Sequence, residues 1–196
     1  MYLARHGETA YNAEGRFQGQ GAVPLNETGR AQAAALAEQA LPYEFVALWC
    51  SPLLRARETA DIVARRIGLT PREDARLMET DSGDWTDRSF AAVQAEAPEE
   101  FARFKSGDPT FAFPGGESFA QQGVRVAGAF HDIKRAEAPT LIVCHGGVIR
   151  IALFQRTKDR SLLGDSVPNA TIVPLDPRGS RRIHRAAGEE IAATSS

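Results

Sequence analysis

Three short, continuous apolar runs constrain the fold of this chain more than any other feature. They lie at residues 2–4, 45–50 and 140–144, and longer stretches of helix-forming residues separate them. Runs that are apolar at every position are typical of strands buried on both faces. Alternation of such strands with helices favours a parallel sheet with crossover connections. The sequence therefore predicts an α/β fold, a three-layer α/β/α sandwich around a mostly parallel central sheet.

The length of 196 residues suits one domain, which we expect over residues 1–186, followed by a weakly held tail over 187–196. Two final strands are predicted at 170–175 and 181–184, joined by a turn at 177–179. The segment from about 80 to 120 breaks the strand–helix alternation and contains two short helical pieces. We interpret it as a small inserted cap, whose many aromatic residues could pack against an organic substrate.

Two helix starts can be predicted from capping residues. Thr28 precedes a run of good helix formers, so it is the expected N-cap of the first long helix. Ser51 and Pro52 follow the second apolar run. Serine is a favoured N-cap and proline a favoured first helical residue, so the next helix is expected to begin there.

The composition excludes several kinds of partner. Lys and Arg number 23 against 25 Asp and Glu, so the charge balance predicts neither a nucleic-acid nor an anionic-membrane partner. No apolar run approaches the roughly 18–20 residues needed to cross a bilayer. The two cysteines are far apart in sequence and form no disulfide framework. We expect a cytoplasmic protein, with homodimerisation left open by a strand edge near the C-terminus.

Polar residues follow each of the three apolar runs. Arg5, His6 and Gly7 end the first, Ser51 and Arg55 follow the second, and the segment 145–147 follows the third. In open α/β sheets, ligands bind outside the carboxyl ends of the strands, where helix N-termini add positive charge. Arginine forms paired hydrogen bonds with phosphate. The pattern therefore predicts a dianion site, most naturally for phosphate, with Gly7 leaving room for the phosphoryl group.

The motifs at these positions resemble the histidine phosphatase superfamily, which includes the cofactor-dependent phosphoglycerate mutases. The matching stretches, in family order along nearly the whole chain, are RHGETAYN, GRFQGQGAVPLNETGRAQA, SPLLRARETA, RLMETDSGDW, PGGES and CHGGVIR. One departure is Asp87, which stands where the family pattern has a second glycine after the tryptophan.

The resemblance implies a role for each matching residue. His6 would be the nucleophile and become transiently phosphorylated, and Glu79 would protonate the leaving alcohol and then activate water. The phosphoryl oxygens would be held by Arg5, Arg55, His145 and Gly146. The remaining contacts to phosphate or substrate would come from Asn12, Gln18 and Gly19. No metal or cofactor is expected, because arginines supply the positive charge.

We favour a phosphomonoesterase acting on a small phosphorylated metabolite. Phosphoglycerate mutase activity is the alternative, but the family's mutases are longer and carry tandem arginines in a larger insertion. This insertion has only scattered basic residues, namely Arg88, Arg103 and Lys105. A catalytically silent phosphate-binding domain is the second alternative.

Other chemistries can be drawn from the same residues. Cys144 and Arg150 have the Cys-x5-Arg spacing of cysteine-dependent phosphatases, but that function would leave His6, Arg55 and Glu79 unexplained. A zinc site on His6, Glu79 and His145 lacks metal-ligand spacing. Aspartates 81, 84 and 87 are interpreted as a solvated loop, and Arg55 could instead pair with Glu58 or Asp61 along its helix.

Overall fold

The computed structural model describes residues 1–136, 138–164 and 166–175. Within them, the sheet contains five strands in the order β3-β2-β4-β1-β5. The strands are β1 (Tyr2–Arg5), β2 (Ala47–Cys50), β3 (Pro71–Glu73), β4 (Thr140–Cys144) and β5 (Ile172–Pro174). The first four are parallel, and β5 pairs antiparallel with β1. The predicted mostly parallel sheet is confirmed, although β2 begins two residues later than predicted.

The described residues also contain seven α-helices and four short 3₁₀ helices. The α-helices are α1 (Ala10–Ala13), α2 (Glu27–Ala40), α3 (Leu54–Ile67), α4 (Phe90–Glu96), α5 (Pro98–Lys105), α6 (Phe119–Ala136) and α7 (Gly146–Thr157). The 3₁₀ helices are Leu41–Tyr43, Ala75–Leu77, Gly83–Trp85 and Arg160–Leu163.

Alternate residues of each strand point to opposite faces of the sheet, and each face is covered by two helices. On one face, Tyr2 and Ala4 of β1 pack in one apolar cluster with α2 and α3. On the other, Leu3 packs in a second cluster with α6 and α7. Burial of these apolar surfaces is the main force that holds the layers together. The three-layer α/β/α sandwich predicted from the apolar runs is confirmed.

The register of the parallel strands aligns their carboxyl ends. Arg5 at the end of β1 pairs with Cys144 at the end of β4, and Cys50 of β2 pairs with Val143 of β4. Residues that directly follow these three neighbouring strands are therefore brought to one edge of the sheet.

Both capping predictions are wrong by a few residues. Asn26, not Thr28, caps α2, and its Oδ1 accepts a hydrogen bond from the Gly29 N–H at 2.7 Å. Helix α3 begins at Leu54, with Leu53 at the N-cap position and no side-chain cap. Ser51 lies ahead of that helix, and its hydroxyl is bound to His145. The Ser51 oxygen also accepts from the Leu53 N–H at 3.3 Å, so this serine holds the turn that precedes α3 instead of capping the helix itself.

Gly7 is required for close packing against α2, whereas we expected it to leave room for a phosphoryl group. A Cβ at Gly7 would lie 2.2 Å from the carbonyl oxygen of Gly29 in α2. A Cβ at Gly29 would in turn lie 1.9 Å from the carbonyl oxygen of Glu8. Only two facing glycines allow the chain after β1 to approach α2 this closely.

The segment 80–120 contains the two predicted short helices, α4 and α5, and several of its aromatic residues form an apolar core within the segment. Trp85, Phe101, Phe111 and Phe113 are buried and pack with Phe17 in an apolar cluster of their own. These side chains give the segment its own core, while Phe90, Phe104 and Phe119 also line the cleft at the edge of the sheet, and packing of the aromatics against a substrate stays a prediction.

The departure at Asp87 is accommodated by the backbone. Its φ of +66° lies in the left-handed region, where glycine is favoured and aspartate is tolerated. Tyr11 Oη donates to Asp87 Oδ1 at 2.8 Å, and Arg16 donates to the Asp87 carbonyl at 2.6 Å. The loop thus keeps the conformation that the family's glycine would allow.

The predictions for the C-terminus are tested only in part. Strand β5 lies within the predicted 170–175, whereas the turn at 177–179, the strand at 181–184 and the tail at 187–196 lie outside the described residues. The division into a domain over 1–186 and a tail, and dimerisation, stay predictions. In the described ranges, no helix has the length and apolar character required to span a membrane.

Candidate active site

The carboxyl ends of β1, β2 and β4 open into a cleft of about 230 Å³. The residues predicted for the site that line this cleft are Arg5, His6, Asn12, Gln18, Gly19, Arg55, Glu79 and Gly146. The His145 ring lies beside His6, with 5.2 Å between the ring centres. The structure therefore brings every predicted residue to the same edge of the sheet.

The tautomer of His6 is fixed by the backbone. Its Nδ1 lies 2.7 Å from the carbonyl oxygen of Gly7, which can only accept, so Nδ1 carries the proton. The ring is buried, and burial together with the neighbouring charges of Arg55 and Arg5 holds the His6 pKa well below its usual range. Near neutral pH the imidazole is therefore uncharged, with its lone pair on Nε2, the arrangement a nucleophile requires.

His145 is also buried and uncharged. Burial comes first among the causes that hold its pKa well below the usual range, followed by Arg55 and His6. Its Nε2 is 2.8 Å from the Ser51 hydroxyl. Its Nδ1 is buried and has no hydrogen-bond partner in the described part of the protein. An unpartnered buried ring nitrogen is costly unless a ligand satisfies it, so this atom favours a bound group.

Two arginines supply the positive charge of the cleft. Arg55 is 1% exposed and donates to the backbone carbonyls of Gly19 at 2.8 Å and Gly21 at 3.1 Å. Burial lowers its pKa to about 10, with the Arg5 charge acting in the same direction and Glu79 against it. At neutral pH it remains charged. Within the described residues, the Nε atoms of Arg5 and Arg55 are both buried and have no hydrogen-bond partner, which suits an anion in the cleft.

The alternative role of Arg55, a salt bridge along its own helix, is not observed. The Glu58 carboxylate instead accepts from the Leu25 N–H at 3.1 Å and lies 3.9 Å from Arg30. Arg55 therefore points away from its helix neighbours and into the cleft.

The amide side chains of Asn12 and Gln18 are oriented by Thr9. Thr9 donates to Asn12 Oδ1 through both its N–H and its hydroxyl, at 3.2 and 3.1 Å. The Thr9 hydroxyl also lies 3.0 Å from Gln18 Oε1. The single hydroxyl proton can go to only one of these two oxygens, whereas the Thr9 N–H holds Asn12 Oδ1 in either case, so the Asn12 NH₂ group is left to donate to a ligand in the cleft.

The carboxyl group of Glu79 lies beside the N-terminus of α7 and lines the cleft. The Thr80 N–H donates to Oε1 at 2.9 Å, and the Gly147 N–H donates to Oε2 at 3.1 Å. A Cβ at Gly147 would lie 2.3 Å from Oε1, so this glycine makes room for the carboxyl group. Gln122 Nε2 adds a third donor, to Oε1 at 3.2 Å. These contacts fix the position of the Glu79 carboxyl group in the cleft that Arg5 and Arg55 also line.

Several residues of the site were given no role from the sequence alone. Ser51 directly follows a buried strand, which was a usable signal. Gln122 and Arg125 lie in a long helix, and nothing in a single sequence separates them from solvent-facing residues. The cleft is also lined by Arg16, Lys105 and Arg150, whose basic side chains could have been grouped only after the topology was known.

The cysteine-dependent alternative is excluded by the position of Cys144. Its side chain packs in the apolar cluster under α6 and α7 and does not line the cleft. Burial raises the pKa of the thiol far above its usual range, so it stays protonated and unreactive. Arg150 does reach the cleft, without the thiol that this mechanism requires.

A metal site is not formed by the candidate ligands. Across the described ranges, no three His, Cys, Asp or Glu side chains are grouped so that they could hold a metal ion. Asp81 Oδ1 accepts from the Gly83 N–H at 3.0 Å, and Asp87 is bound by Tyr11. These aspartates therefore organise their own loop, in line with the interpretation as a loop.

Comparison with known proteins gives a consistent result. The family model of the histidine phosphatase superfamily (branch 1) matches residues 1–189. A glucosyl-3-phosphoglycerate phosphatase of Mycobacterium tuberculosis is 35% identical over 159 residues, which cover 76% of this chain and 71% of the relative. The probable phosphoglycerate mutase GpmB of Cronobacter sakazakii is 36% identical over 149 residues, covering 74% and 69%. Among solved structures, mycobacterial glucosyl-3-phosphoglycerate phosphatase complexed with VO3 superimposes with a TM-score of 0.81 at 32% identity, covering 88% of each chain.

Proposed function

The chain belongs to branch 1 of the histidine phosphatase superfamily and is a histidine-dependent phosphatase, and we propose that it hydrolyses a small phosphate monoester through a phosphohistidine on His6. The observation that carries this proposal is the hydrogen bond from His6 Nδ1 to the Gly7 carbonyl. It leaves the unprotonated Nε2 of a neutral imidazole next to the charged groups of Arg5 and Arg55.

In the first step, His6 Nε2 attacks phosphorus, and the bond from phosphorus to the leaving oxygen breaks as the N–P bond forms. Charge on the transferring phosphoryl oxygens is stabilised by Arg5, Arg55 and the nearby amide donors. Glu79 gives its proton to the leaving oxygen, so the alcohol departs neutral.

In the second step, the Glu79 carboxylate accepts a proton from water as that water attacks phosphorus. The N–P bond breaks, inorganic phosphate forms, and His6 returns to its neutral state. Glu79 regains its proton, which closes the cycle without a metal ion. His145 Nδ1 and the two arginine Nε atoms, which have no partner among residues 1–136, 138–164 and 166–175, would hydrogen-bond the phosphoryl oxygens.

Phosphoglycerate mutase activity is the second candidate, because GpmB of Cronobacter sakazakii is a relative of similar identity. The insertion argues against it. Arg88 pairs with Glu96, and Arg103 pairs with Asp108 at 2.8 Å, so these two charges are already neutralised. Lys105 is the basic residue of this segment that lines the cleft. A hydrolase needs less positive charge there than an enzyme that must retain a doubly charged intermediate.

The substrate class is a small organic phosphate with a partly apolar leaving group. The cleft is lined by Phe90, Phe104 and Phe119 as well as by its polar residues. The name of the mycobacterial relative suggests glucosyl-3-phosphoglycerate as the first compound to test. We also propose that the protein works in the cytoplasm, because its two cysteines are buried and unpaired.

The test compares wild type with His6→Ala and Cys144→Ser, using an aryl phosphate and a panel of metabolite phosphates. We expect His6→Ala to lower kcat/KM by on the order of a thousandfold or more and to yield no acid-labile phosphoenzyme after rapid quenching. Cys144→Ser should retain both the activity and the phosphoenzyme. Retention of the phosphoenzyme in His6→Ala would contradict the proposal. Net isomerisation of 3-phosphoglycerate faster than its hydrolysis would favour the mutase.

A further inference from the structure

A buried amide on α6 is bonded to the proposed proton donor. Gln122 is fully buried, and its Nε2 donates to Glu79 Oε1 at 3.2 Å. The Oε1 atom of Gln122 is buried and has no hydrogen-bond partner in the described structure. Keeping a half-satisfied amide inside the protein costs free energy. Packing alone does not account for it, because an apolar residue of the same size would fill the space without that cost.

The backbone on either side of Glu79 is held by the same helix. Arg125 donates through Nη1 to the carbonyls of Arg76 and Met78, at 2.8 and 2.6 Å, and through Nη2 to the carbonyl of Glu79 at 3.1 Å. The Arg125 guanidinium itself is fixed by the Glu117 carboxylate, with contacts of 2.6 and 2.7 Å. A paired contact of this kind is strong and directional. Helix α6 therefore restrains both the main chain and the side chain of Glu79.

The hydrogen bonds to Glu79 are unevenly distributed between its two oxygens. Three donors surround Oε1, namely the Thr80 N–H, Gln122 Nε2 and, at 3.4 Å, the Thr80 hydroxyl, so no lone pair of Oε1 is left for a proton. Oε2 accepts from the Gly147 N–H alone and keeps one lone pair free. A proton on the carboxyl group is therefore carried by Oε2.

We propose that Gln122 and Arg125 are positioning residues, which direct the transferable proton of Glu79 to Oε2 and hold that oxygen toward the leaving group. This inference rests on the proposed role of Glu79 as proton donor. During transfer, the Oε2–H bond breaks and the proton bonds to the leaving oxygen as its bond to phosphorus breaks. In the next step, Oε2 recovers a proton from the attacking water. Gln122 touches no substrate in this scheme and acts only through Glu79.

The experiment compares two substrates that differ in their need for a proton. p-Nitrophenyl phosphate has a good leaving group that departs without protonation, whereas glycerol phosphate has a poor one that requires it. The variants are Gln122→Met and Arg125→Lys, and Glu79→Gln serves as the reference for loss of the acid. The matched control is Gln155→Met, which removes a 2.8 Å hydrogen bond from α7 to the Gly123 carbonyl of α6 but does not contact Glu79.

We expect Gln122→Met to lower kcat for glycerol phosphate by about tenfold to a hundredfold, and kcat for p-nitrophenyl phosphate by less than about threefold, with little change in KM. Arg125→Lys should show the same selectivity, and Gln155→Met should show none. Thermal unfolding of each variant checks that the fold is intact.

The outcomes separate this inference from the proposed function. If Glu79→Gln is itself no more harmful for glycerol phosphate than for p-nitrophenyl phosphate, Glu79 is not the proton donor and both proposals about it fail. If Glu79→Gln is selective but Gln122→Met and Arg125→Lys affect the two substrates equally, only the positioning role is overturned.

Discussion

At the scale of single residues, the two histidines of the cleft are unusual because they are buried, close together and uncharged. Burial is the main cause of the low pKa of each, and the guanidinium of Arg55 acts in the same direction. A protonated imidazole in this place would be buried away from solvent beside the like charges of Arg5 and Arg55. The arginines that would bind phosphate therefore also keep His6 in its nucleophilic form.

This state of the histidines predicts how stability depends on pH. The folded-state pKa of His6 and of His145 lies below the value of about 6.5 for an unfolded chain, so the unfolded state binds more protons as the pH falls. The contribution that the two neutral histidines make to the free energy of unfolding is therefore fully present above pH 6.5 and is lost progressively as the pH falls below that value. Each histidine contributes up to about 1.4 kcal/mol per pH unit, so the free energy of unfolding should fall by about 2–3 kcal/mol between pH 7.5 and 5.5.

Urea unfolding at several pH values measures this dependence. His145→Asn should reduce the loss by about half, because one of the two buried imidazoles is gone. The exposed His131 provides the control, since His131→Asn should leave the dependence as in wild type. A wild-type free energy of unfolding that is constant between pH 7.5 and 5.5 would show that the histidines are not held neutral by the fold.

Single residues also show how far sequence alone reaches into the site. Arg5, His6 and His145 stand at the carboxyl ends of apolar strands, so a parallel sheet topology predicts that they lie close together. Ser51 has the same position but was assigned to a helix cap, since local propensity cannot reveal a partner 94 residues away. Gln122 could not have been predicted, because its burial depends on how α6 is rotated against the sheet.

At the scale of elements, the approach of the chain after β1 to α2 depends on Gly7 and Gly29. Gly7→Ala would bring its Cβ to 2.2 Å from a backbone oxygen, which cannot move without shifting the helix. We expect a loss of at least about 2–3 kcal/mol in the free energy of unfolding, the usual range for overpacking a rigid site. Denaturant unfolding measures it.

Gly128 in α6 is the matched control for that substitution. The nearest atom to a Cβ there is Arg76 Nη1 at 3.7 Å, an ordinary contact. Gly128→Ala should therefore stabilise the protein by about 0.5–1 kcal/mol, because alanine is the better helix former. Equal effects of the two substitutions would mean that Gly7 is not in close backbone contact.

Among the elements, the strands were predicted well, because burial dictates their sequences. The helix starts, which were predicted from capping residues, were placed poorly. Strands β2 and β4 are almost entirely apolar because helices cover both faces of the sheet, and few other structures give such a sequence pattern. The start of α3 was misplaced because Ser51 and Pro52 match local capping preferences, whereas the Ser51 oxygen accepts from the Leu53 N–H in a turn and the helix begins only at Leu54. The aromatics of the cap could not be divided between core and cleft, since both uses require the same residues.

At the scale of the whole molecule, the overall charge and the local charge of the cleft have opposite signs. The chain carries a formal net charge of −2, whereas the cleft is lined by Arg5, Arg55 and Arg150 around two neutral histidines. A dianion is repelled by the negative net charge of the chain and attracted by the positive charge of the cleft. Fields from buried and partly buried charges in a cleft exceed those of scattered surface charges at short range.

The salt dependence of anion binding shows whether the net charge of the chain or the local charge of the cleft dominates, because the two effects give opposite signs. If the local charge dominates, the inhibition constant of inorganic phosphate should rise about threefold to tenfold between 20 and 500 mM salt, because screening weakens attraction. If the net charge dominates, it should fall, because screening weakens repulsion. Competitive inhibition of aryl phosphate hydrolysis at fixed pH measures this constant.

Two variants that change the net charge equally make the test specific to the cleft. Arg150→Gln removes a charge that lines it, and we expect a higher inhibition constant with a weaker salt dependence. Arg66→Gln removes a charge at the far end of α3, where Arg66 pairs with Glu38 at 2.6 Å. It should leave both the constant and its salt dependence unchanged. Identical behaviour of the two variants would mean that phosphate responds to the charge of the whole molecule rather than to the arginines at the ends of the strands.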